Sequence, residues 1–315
     1  MKPLFRDIIF SPEIIGAAWA THSFLTPTPV LIDTNTVRIF GGIRDEMGVS
    51  RIGFVDISVS APPQIINYSL HPTLDIGEEG SFDDNGVILG DVVKVGSKLY
   101  MYYIGFQIVK KVKFLAFTGL AVSDDQGVSF SRYSSVPILD RSENENYIRT
   151  VHSVVDHGSH YEVFYSAGDK WVLIDEISYP SYYIRRFVTK NLNTLSHDLS
   201  EDVLKRSKLE YRLGRPRFLS YNDKELLLFT KGTMRRDYFP GVLVKHVGDS
   251  HWTRNDDLWC LQLRAGQFDS QHLCYPAPLL IGDNAWIFYN GNNMGRAGLA
   301  LAIVSCKEFF HGLCN

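Results

Sequence analysis

Acidic residues stand beside several short apolar segments whose composition predicts β-strands. Asp83 and Asp84 precede the segment 86–89, and Glu210 and Asp269 stand before two later segments. Sugar hydrolysis requires two carboxyl groups that face each other across a glycosidic bond, one as acid and the other as base or nucleophile. These four residues are therefore candidates for general acid–base chemistry, of which this reaction is one example.

The two adjacent aspartates are not equivalent. Because neighbouring residues of a strand point to opposite faces, Asp83 and Asp84 cannot both face one site if the strand is regular there. We expect one of them to face the site and the other to hold a turn. The run Asp83-Asp84-Asn85-Gly86 is also typical of a turn without any catalytic role.

Further polar residues at or near the same segments could bind a substrate: His22, Arg44, Asp91, His152, Arg215, Tyr275 and Asn290. Three of them have a structural interpretation as well. His152 could be a core histidine, and Asp91 a hydrogen-bonded acid within its strand. Arg215 could form an ion pair with an aspartate near segment 86–89, or it could bind a hydroxyl, carboxylate or phosphate of a substrate.

The elements that must position these residues recur five times. Each repeat begins with a strand opened by small or polar residues, continues with a strand rich in Phe, Tyr and Leu, and adds a third strand. The openings are Thr28-Pro29-Val30-Leu31, Gly86-Val87-Ile88-Leu89, Val151-His152-Ser153-Val154, Arg215-Pro216-Arg217-Phe218 and Pro276-Ala277-Pro278-Leu279. Their spacing of roughly 60 residues is close to the period of about 50 in kelch-type repeats.

This repeat predicts an all-β fold, a single five-bladed β-propeller domain over residues 1–315 with an axial funnel lined by the first strands. The blades are expected to start near residues 28, 87, 152, 215 and 277. Residues 1–20 are expected to supply a leading strand that closes the ring, because an open ring would expose two unpaired edges.

Composition restricts the classes of partner. The chain has 315 residues, of which 45% are apolar and 21% charged, with a net charge of -3. That balance gives no electrostatic footprint for nucleic acid or for an anionic membrane. No signal peptide or membrane-spanning segment is evident, which favours a cytoplasmic location. Neither the cysteines nor the histidines show metal-binding spacing, so we expect no metal and no cofactor.

Several runs resemble blades of the five-bladed glycosidase superfamily, which includes arabinanase-, invertase- and mannoside-phosphorylase-like enzymes. Asp83–Val87 followed by Tyr100–Gly105 is similar to blade two. Phe288–Asn292 followed by Gly295–Ala300 is similar to the last blade of glycosidase-like proteins in that group, and Ser123–Phe130 resembles its recurrent blade turn. The resemblance covers nearly the whole chain and is more specific for the fold than for the reaction.

The resemblance implies that catalytic acids come from the first strands of different blades. It suggests Asp84 as general base or as modulator of the pKa of a second acid, Glu210 or Asp269. The chain departs from the hydrolase pattern at two openings. Residues 26–29 carry no acid where a base is expected, and residues 149–153 carry no Glu.

Three functions stay open at this point. The first is a carbohydrate-active enzyme that cleaves or transfers a glycosyl unit with funnel carboxylates. The second is glycosyl transfer or phosphorolysis in the synthesis of a surface polysaccharide or glycolipid, where Arg215 would bind phosphate. The third is a non-catalytic carbohydrate-binding propeller, which the missing acids favour. In each case the expected partner is a carbohydrate or sugar conjugate.

Overall fold

The prediction of an all-β protein is confirmed by a computed structural model, which describes residues 2–195, 199–235 and 238–311. Helical segments within these residues are short. Two are 3-10 turns, at Pro12–Ile15 and Asp256–Leu258. Two more are α1 (Asn292–Gly295) and α2 (Cys306–His311).

The strands of the described residues are, in chain order, β1 (Phe5–Phe10), β2 (His22–Leu31), β3 (Thr36–Arg44), β4 (Ser50–Ser58), β5 (Ile65–Tyr68), β6 (Val87–Val95), β7 (Lys98–Gln107), β8 (Leu115–Ser123), β9 (Ser131–Arg132), β10 (Ile148–Asp156), β11 (Tyr161–Ile174), β12 (Ile177–Thr189), β13 (Glu201–Leu204), β14 (Glu210–Tyr221), β15 (Lys224–Thr233), β16 (Tyr238–His246), β17 (Thr253–Arg254), β18 (Cys274–Ile281), β19 (Asn284–Asn290) and β20 (Leu299–Ser305).

These strands pair into five antiparallel units of four. Units 1 to 4 are β2–β5, β6–β9, β10–β13 and β14–β17, each paired in chain order. Unit 5 contains β18, β19, β20 and β1. Short parallel contacts, Ile148 opposite Ala116 and Tyr182 opposite Arg212, join units 2, 3 and 4 into one sheet.

The first strand of the chain lies in the last unit. β1 pairs antiparallel with β20, with Phe5 opposite Ile303 and Ile8 opposite Ala300. Without this pairing β20 would be an edge strand with unpaired backbone groups, which is a site for unwanted strand addition.

The first strands of the five units, β2, β6, β10, β14 and β18, stand side by side. Each contacts the next in chain order, and β18 contacts β2. The apolar core lies between neighbouring units: one cluster packs Phe40 of unit 1 against Leu89 and Met101 of unit 2, and another packs Val37 of unit 1 against Trp286 of unit 5. No unit buries its apolar faces alone, so each depends on its neighbours.

The first strands begin on one face of this assembly, here called the mouth, and end on the opposite face, the far face. Residues 28, 87, 152, 215 and 277 all lie in these strands. Among the described residues Cys260, Cys274 and Cys306 are free thiols, and Cys314 lies outside them. No described helix has the length and apolarity to cross a membrane, and no described cluster of His, Cys, Asp or Glu could hold a metal ion.

Candidate functional site

All five first strands contain a β-bulge. The pairing register shifts at Leu25/Thr28, Leu89/Asp91, Val151/Ser153, Gly214/Arg217 and Cys274/Ala277. In three of them a residue with left-handed backbone stands directly before a proline: Thr26 (φ 50), Arg215 (φ 52) and Tyr275 (φ 57). Bulges redirect side chains and end regular pairing. The five bulges therefore set which side chains enter the ring of first strands.

Arg215 occupies the interior of this ring. Its side chain is 2% exposed, and its guanidinium donates to the carbonyl oxygens of Leu89 at 2.7 Å, Thr26 at 2.8 Å and Pro27 at 2.7 Å. It also donates to Thr28 Oγ1 at 3.0 Å. The guanidinium thus connects β14 to β2 and β6. A substrate cannot reach it in this arrangement, so Arg215 is a structural residue rather than a binding residue.

Arg217 forms the ion pair that the sequence suggested for Arg215. Its Nη1 lies 2.7 Å from Asp91 Oδ1 and donates to the carbonyl oxygen of His152 at 2.6 Å. The other carboxylate oxygen of Asp91 accepts from the backbone N–H of Val154 at 2.8 Å. Asp91 is 5% exposed and fully used in this network. Its role is therefore to join β6, β10 and β14, and not to contact a substrate.

His152 lies beside these arginines and is also buried. Its Nε2 is 3.0 Å from Thr150 Oγ1, and the residue is 6% exposed. Burial, followed by the charges of Arg215 and Arg217, holds the pKa of His152 well below its ordinary value. The imidazole is therefore neutral at neutral pH, as expected for the core histidine that was one of the two sequence interpretations.

Two of the predicted catalytic acids form ion pairs with arginines. Glu210, which is 8% exposed, lies 2.6 Å from Arg254 Nη2. Asp269 is 0% exposed, with Arg6 Nη2 at 2.7 Å and Arg264 Nε at 3.0 Å. Burial raises the pKa of the Glu210 carboxyl, but the hydrogen bonds and charge of Arg254 outweigh burial and lower that pKa below its ordinary value, which opposes proton donation to a leaving group. The contacts favour a structural role for both acids, so their assignment as catalytic acids lacks support.

The Asp83-Asp84 doublet lies in a turn before β6, so the alternation of a regular strand does not apply to it. Asp83 is 1% exposed and accepts from Arg132 Nε at 2.8 Å and from Ser81 Oγ at 2.9 Å. Asp84 is half-buried and accepts from the backbone N–H of Gly80 at 2.9 Å and from the Asn85 amide. Within the described residues Asp84 has no cationic partner. The other three candidate acids each form an ion pair with an arginine.

Asn290, at the end of β19, ties unit 5 to unit 1. It is 0% exposed, its side-chain oxygen accepts from the N–H of Thr26 at 3.1 Å, and its amide donates to the carbonyl of Phe24. It therefore supports the bulge of β2 and is too buried to bind substrate.

Three arginines at the mouth have no carboxylate partner among the described residues. Arg44 ends β3, Arg212 stands at the start of β14, and Arg296 follows α1. Arg212 stacks on the rings of Tyr238 and Tyr211, 4.1 and 4.7 Å from the centroids. Burial lowers the pKa of Arg44. As far as the described residues go, these guanidinium groups have N–H donors that can bind an anion.

Tyr275 and His22 lie among these charges. Burial raises the pKa of Tyr275, while the nearby Arg212 and Arg44 lower it. Burial lowers the pKa of His22, and Arg296 and Arg44 lower it further. Both residues are half-buried at the beginnings of β18 and β2. The mouth is therefore electropositive and lined in part by a tyrosine and a histidine.

Sequence reasoning did not select Arg212 or Arg296 for this site. Tyr182 lies close to Tyr275 and packs against the backbone at Gly214. Arg212 lies three residues before Arg215 in the bulge of β14. His22 lies four residues before Thr26, the corresponding residue in the bulge of β2. That position at the start of a first strand is the signal that could have identified Arg212.

The fold has clear relatives among solved structures. A structure described as "Glycoside hydrolase" superposes with a TM-score of 0.70 at 15% identity, covering 97% of this chain and 92% of that one. The chain has the fold of the propeller glycosidases. A second structure superposes with a TM-score of 0.68 at 12% identity, covering 97% of this chain and 93% of that one. It comes from a study of the GH130 family of mannoside phosphorylases, which contains glycoside hydrolases that target beta-1,2 mannosidic linkages in Candida mannan. Identities this low establish the fold of the chain and not its reaction.

Curated proteins add little about the reaction. The chain is 28% identical over 153 residues to two uncharacterized proteins of Mycobacterium tuberculosis, Rv1502 of strain H37Rv and MT1551 of strain CDC 1551. The match covers 49% of this chain, and the chain spans about half the length of these relatives, 51% in each case. No protein-family model matches.

Replacement of Arg215 tests its structural role. Arg215→Met should lower the free energy of unfolding by more than about 3 kcal/mol, because it leaves several buried carbonyl groups without a donor. Urea denaturation should show this loss, and the free energy of unfolding of Arg215→Lys should lie between those of wild type and Arg215→Met. Lys94→Gln, an exposed change near the far end of β6, is the control. An Arg215→Met protein as stable as the control would contradict the assignment.

The pH dependence of stability tests the burial of His152. The folded state keeps a pKa below the ordinary value of about 6.5, so on acidification the unfolded chain takes up the proton first and stability falls below that pH. The slope for one proton is at most about 1.4 kcal/mol per pH unit. Between pH 7.5 and 5.5, wild type should lose more stability than His152→Gln. Parallel losses in the two proteins would show that His152 does not carry the effect.

Proposed function

We propose that the five units are the blades of a five-bladed β-propeller and that a carbohydrate binds at its mouth. The contact between β18 and β2, together with the pairing of β1 and β20, supports a closed ring. The similarity in fold to glycoside hydrolases and phosphorylases supports a sugar as the ligand. Because Arg215 fills the interior of the ring, the ligand is placed at the mouth, where Arg44, Arg212 and Tyr275 are half-buried.

We infer that the ligand, or its reaction partner, is a phosphate. The observation that carries this inference is the group of three guanidiniums, Arg44, Arg212 and Arg296, without acidic partners in the described part of the chain. Arginine binds phosphate through paired N–H donors, and a half-buried site strengthens those bonds. This replaces Arg215, the residue that the sequence suggested for phosphate, with arginines that a ligand can reach.

The supply of acids at the site fits phosphorolysis better than hydrolysis. A hydrolase needs two carboxyl groups, one of them to activate water or to attack the sugar. Of the four candidate acids only Asp84 lacks a cationic partner in the described structure. The openings of β2 and β10, residues 26–29 and 149–153, contain no Asp or Glu. A phosphate dianion is itself the nucleophile and needs little activation, so one acid suffices.

The proposed reaction is the reversible transfer of a glycosyl unit to phosphate. The Asp84 carboxyl donates a proton to the glycosidic oxygen while a phosphate oxygen forms a bond to the anomeric carbon. The bond from that carbon to the leaving oxygen breaks, which gives a sugar 1-phosphate and a free alcohol. The proton of the attacking hydrogen phosphate returns to Asp84. Arg44 and Arg212 hold the phosphate and neutralise its charge.

A non-catalytic, carbohydrate-binding propeller is the second candidate. The arginine partners of Asp83, Glu210 and Asp269 favour it, because they leave only Asp84 of the four candidate acids without a cationic partner in the described residues. The two functions differ in turnover, so the same set of variants can separate them.

Binding measurements test the phosphate site. Calorimetry with inorganic phosphate and with a set of hexose 1-phosphates should detect binding to wild type. Arg44→Gln and Arg212→Gln should each weaken it by about tenfold to a hundredfold, because each removes charge-assisted hydrogen bonds. Lys94→Gln, which removes a charge near the far end of β6, should bind like wild type. Equal affinity in all four proteins would exclude the mouth arginines as the phosphate site.

Turnover measurements test Asp84. Wild type, incubated with a hexose 1-phosphate and a panel of sugar acceptors, should release phosphate. Asp84→Asn should reduce that rate by about 10²–10⁴-fold, since it removes the exchangeable proton and keeps the shape. Its affinity for phosphate and its melting temperature should stay unchanged. Phosphate binding without release in wild type would favour the non-catalytic function, and full activity in Asp84→Asn would exclude this residue as the acid.

A further inference from the structure

One hairpin projects from the mouth. β11 and β12 continue past Gly168, which lies opposite Ile148, the first residue of β10. Beyond that point the hairpin has six further residues on β11, a length of about 20 Å. It ends in the two-residue turn of Asp175 and Glu176, both with left-handed backbone, φ 44 and 65. The tip of unit 3 thus stands away from the ring of first strands.

A second mouth loop lies against this hairpin. Residues 108–114 connect β7 and β8 in unit 2. Phe114 packs edge-on against Trp171 of the hairpin, with ring centroids 5.4 Å apart, and against Phe106, 5.1 Å away. The loop and the hairpin therefore present one continuous surface beside the mouth.

This surface combines exposed apolar side chains with unpaired lysines. Ile108 is 65% exposed and Leu173 69%. The loop also carries three exposed lysines for which the described structure contains no ion pair. We name the rim patch as the set Ile108, Lys110, Lys111, Lys113 and Leu173; Leu173 shares a hairpin face with Trp171, two residues before it. Single exposed apolar residues are common on proteins, but here they stand on neighbouring projections next to a cluster of one charge.

We propose that the rim patch docks the mouth on an anionic phospholipid surface. Exposed apolar side chains on projecting loops can enter the boundary between headgroups and acyl chains, and lysines beside them bind anionic headgroups. The docked protein presents its mouth to the membrane. A glycosyl phosphate carried by a lipid is then the substrate class, a statement that rests on the proposed function, whereas the docking itself does not.

The acidic residues of the region do not cancel this patch. Asp175 and Glu176 stand at the hairpin turn, while Lys170 adds a fourth lysine at its base. The net charge of -3 is an average over the whole chain. Exposed charges act over roughly a Debye length, about 10 Å at 0.1 M salt, so the local excess of lysine governs an encounter with a surface.

Vesicle sedimentation tests the proposal. Wild type should sediment with vesicles of phosphatidylglycerol and phosphatidylcholine and stay in solution with phosphatidylcholine alone. The triple variant Lys110→Gln, Lys111→Gln, Lys113→Gln should lose binding on the order of a hundredfold at low salt. Leu173→Ser with Ile108→Ser should also reduce it, which ion binding alone would not explain. Raising the salt concentration should weaken wild-type binding.

A matched triple variant on the far face is the control. Lys94, Lys190 and Lys307 are exposed there, and their change to Gln removes the same charge. This control should bind vesicles like wild type. Equal losses in both triple variants, or no binding of wild type to the anionic vesicles, would overturn the proposal.

Phosphate binding without vesicles separates this proposal from the proposed function. The rim-patch variants should bind inorganic phosphate like wild type, because they leave the mouth arginines in place. Patch-dependent vesicle binding in a protein that fails to bind phosphate would retain the docking and remove the phosphate function. The reverse result would retain the function and remove the docking.

Discussion

The fold depends on how the interior of the ring of first strands is filled. Five strands that meet around one axis bring many backbone carbonyl groups together, and buried carbonyls need donors. Arg215 and Arg217 supply these donors from β14, to β2 and β6 in one case and to β6 and β10 in the other. The bulges make this possible, because they turn the Arg215 side chain inward. Two guanidinium groups thus fix the relative positions of four of the five first strands.

The same arrangement explains why the mouth is rich in positive charge. Arginines deeper in the ring donate to carbonyls and to Asp91, while Glu210 and Asp269 are bound by Arg254 and by Arg6 and Arg264. Arg44, Arg212 and Arg296 have no carboxylate partner in the described structure. A mouth of this kind favours an anionic ligand, and it is poorly suited to a mechanism that needs two free carboxyl groups.

The sequence predicted strands and their order well, and the partners of side chains poorly. The openings at Val87 and His152 could be recognised because apolar residues follow small or polar ones in a repeating order. The ion pair between Arg6 and Asp269 joins residues 263 positions apart, so no local pattern indicates it. Asp269 therefore resembled a free acid in the sequence. The exchange of roles between Arg215 and Arg217 had a different cause: the bulge of β14 changes the directions of these side chains, and position at a strand opening does not indicate a bulge.

The pairing of β1 with β20 has a consequence for synthesis on the ribosome. Residues 5–10 are made early, whereas their partner strand, residues 299–305, is made about 290 residues later. At 5–20 residues per second, β1 waits roughly 15–60 s for its partner. During that time the segment Phe5-Arg6-Asp7-Ile8-Ile9-Phe10 is an unpaired strand with apolar residues. Its two charges, Arg6 and Asp7, interrupt the apolar run and so limit association between nascent chains.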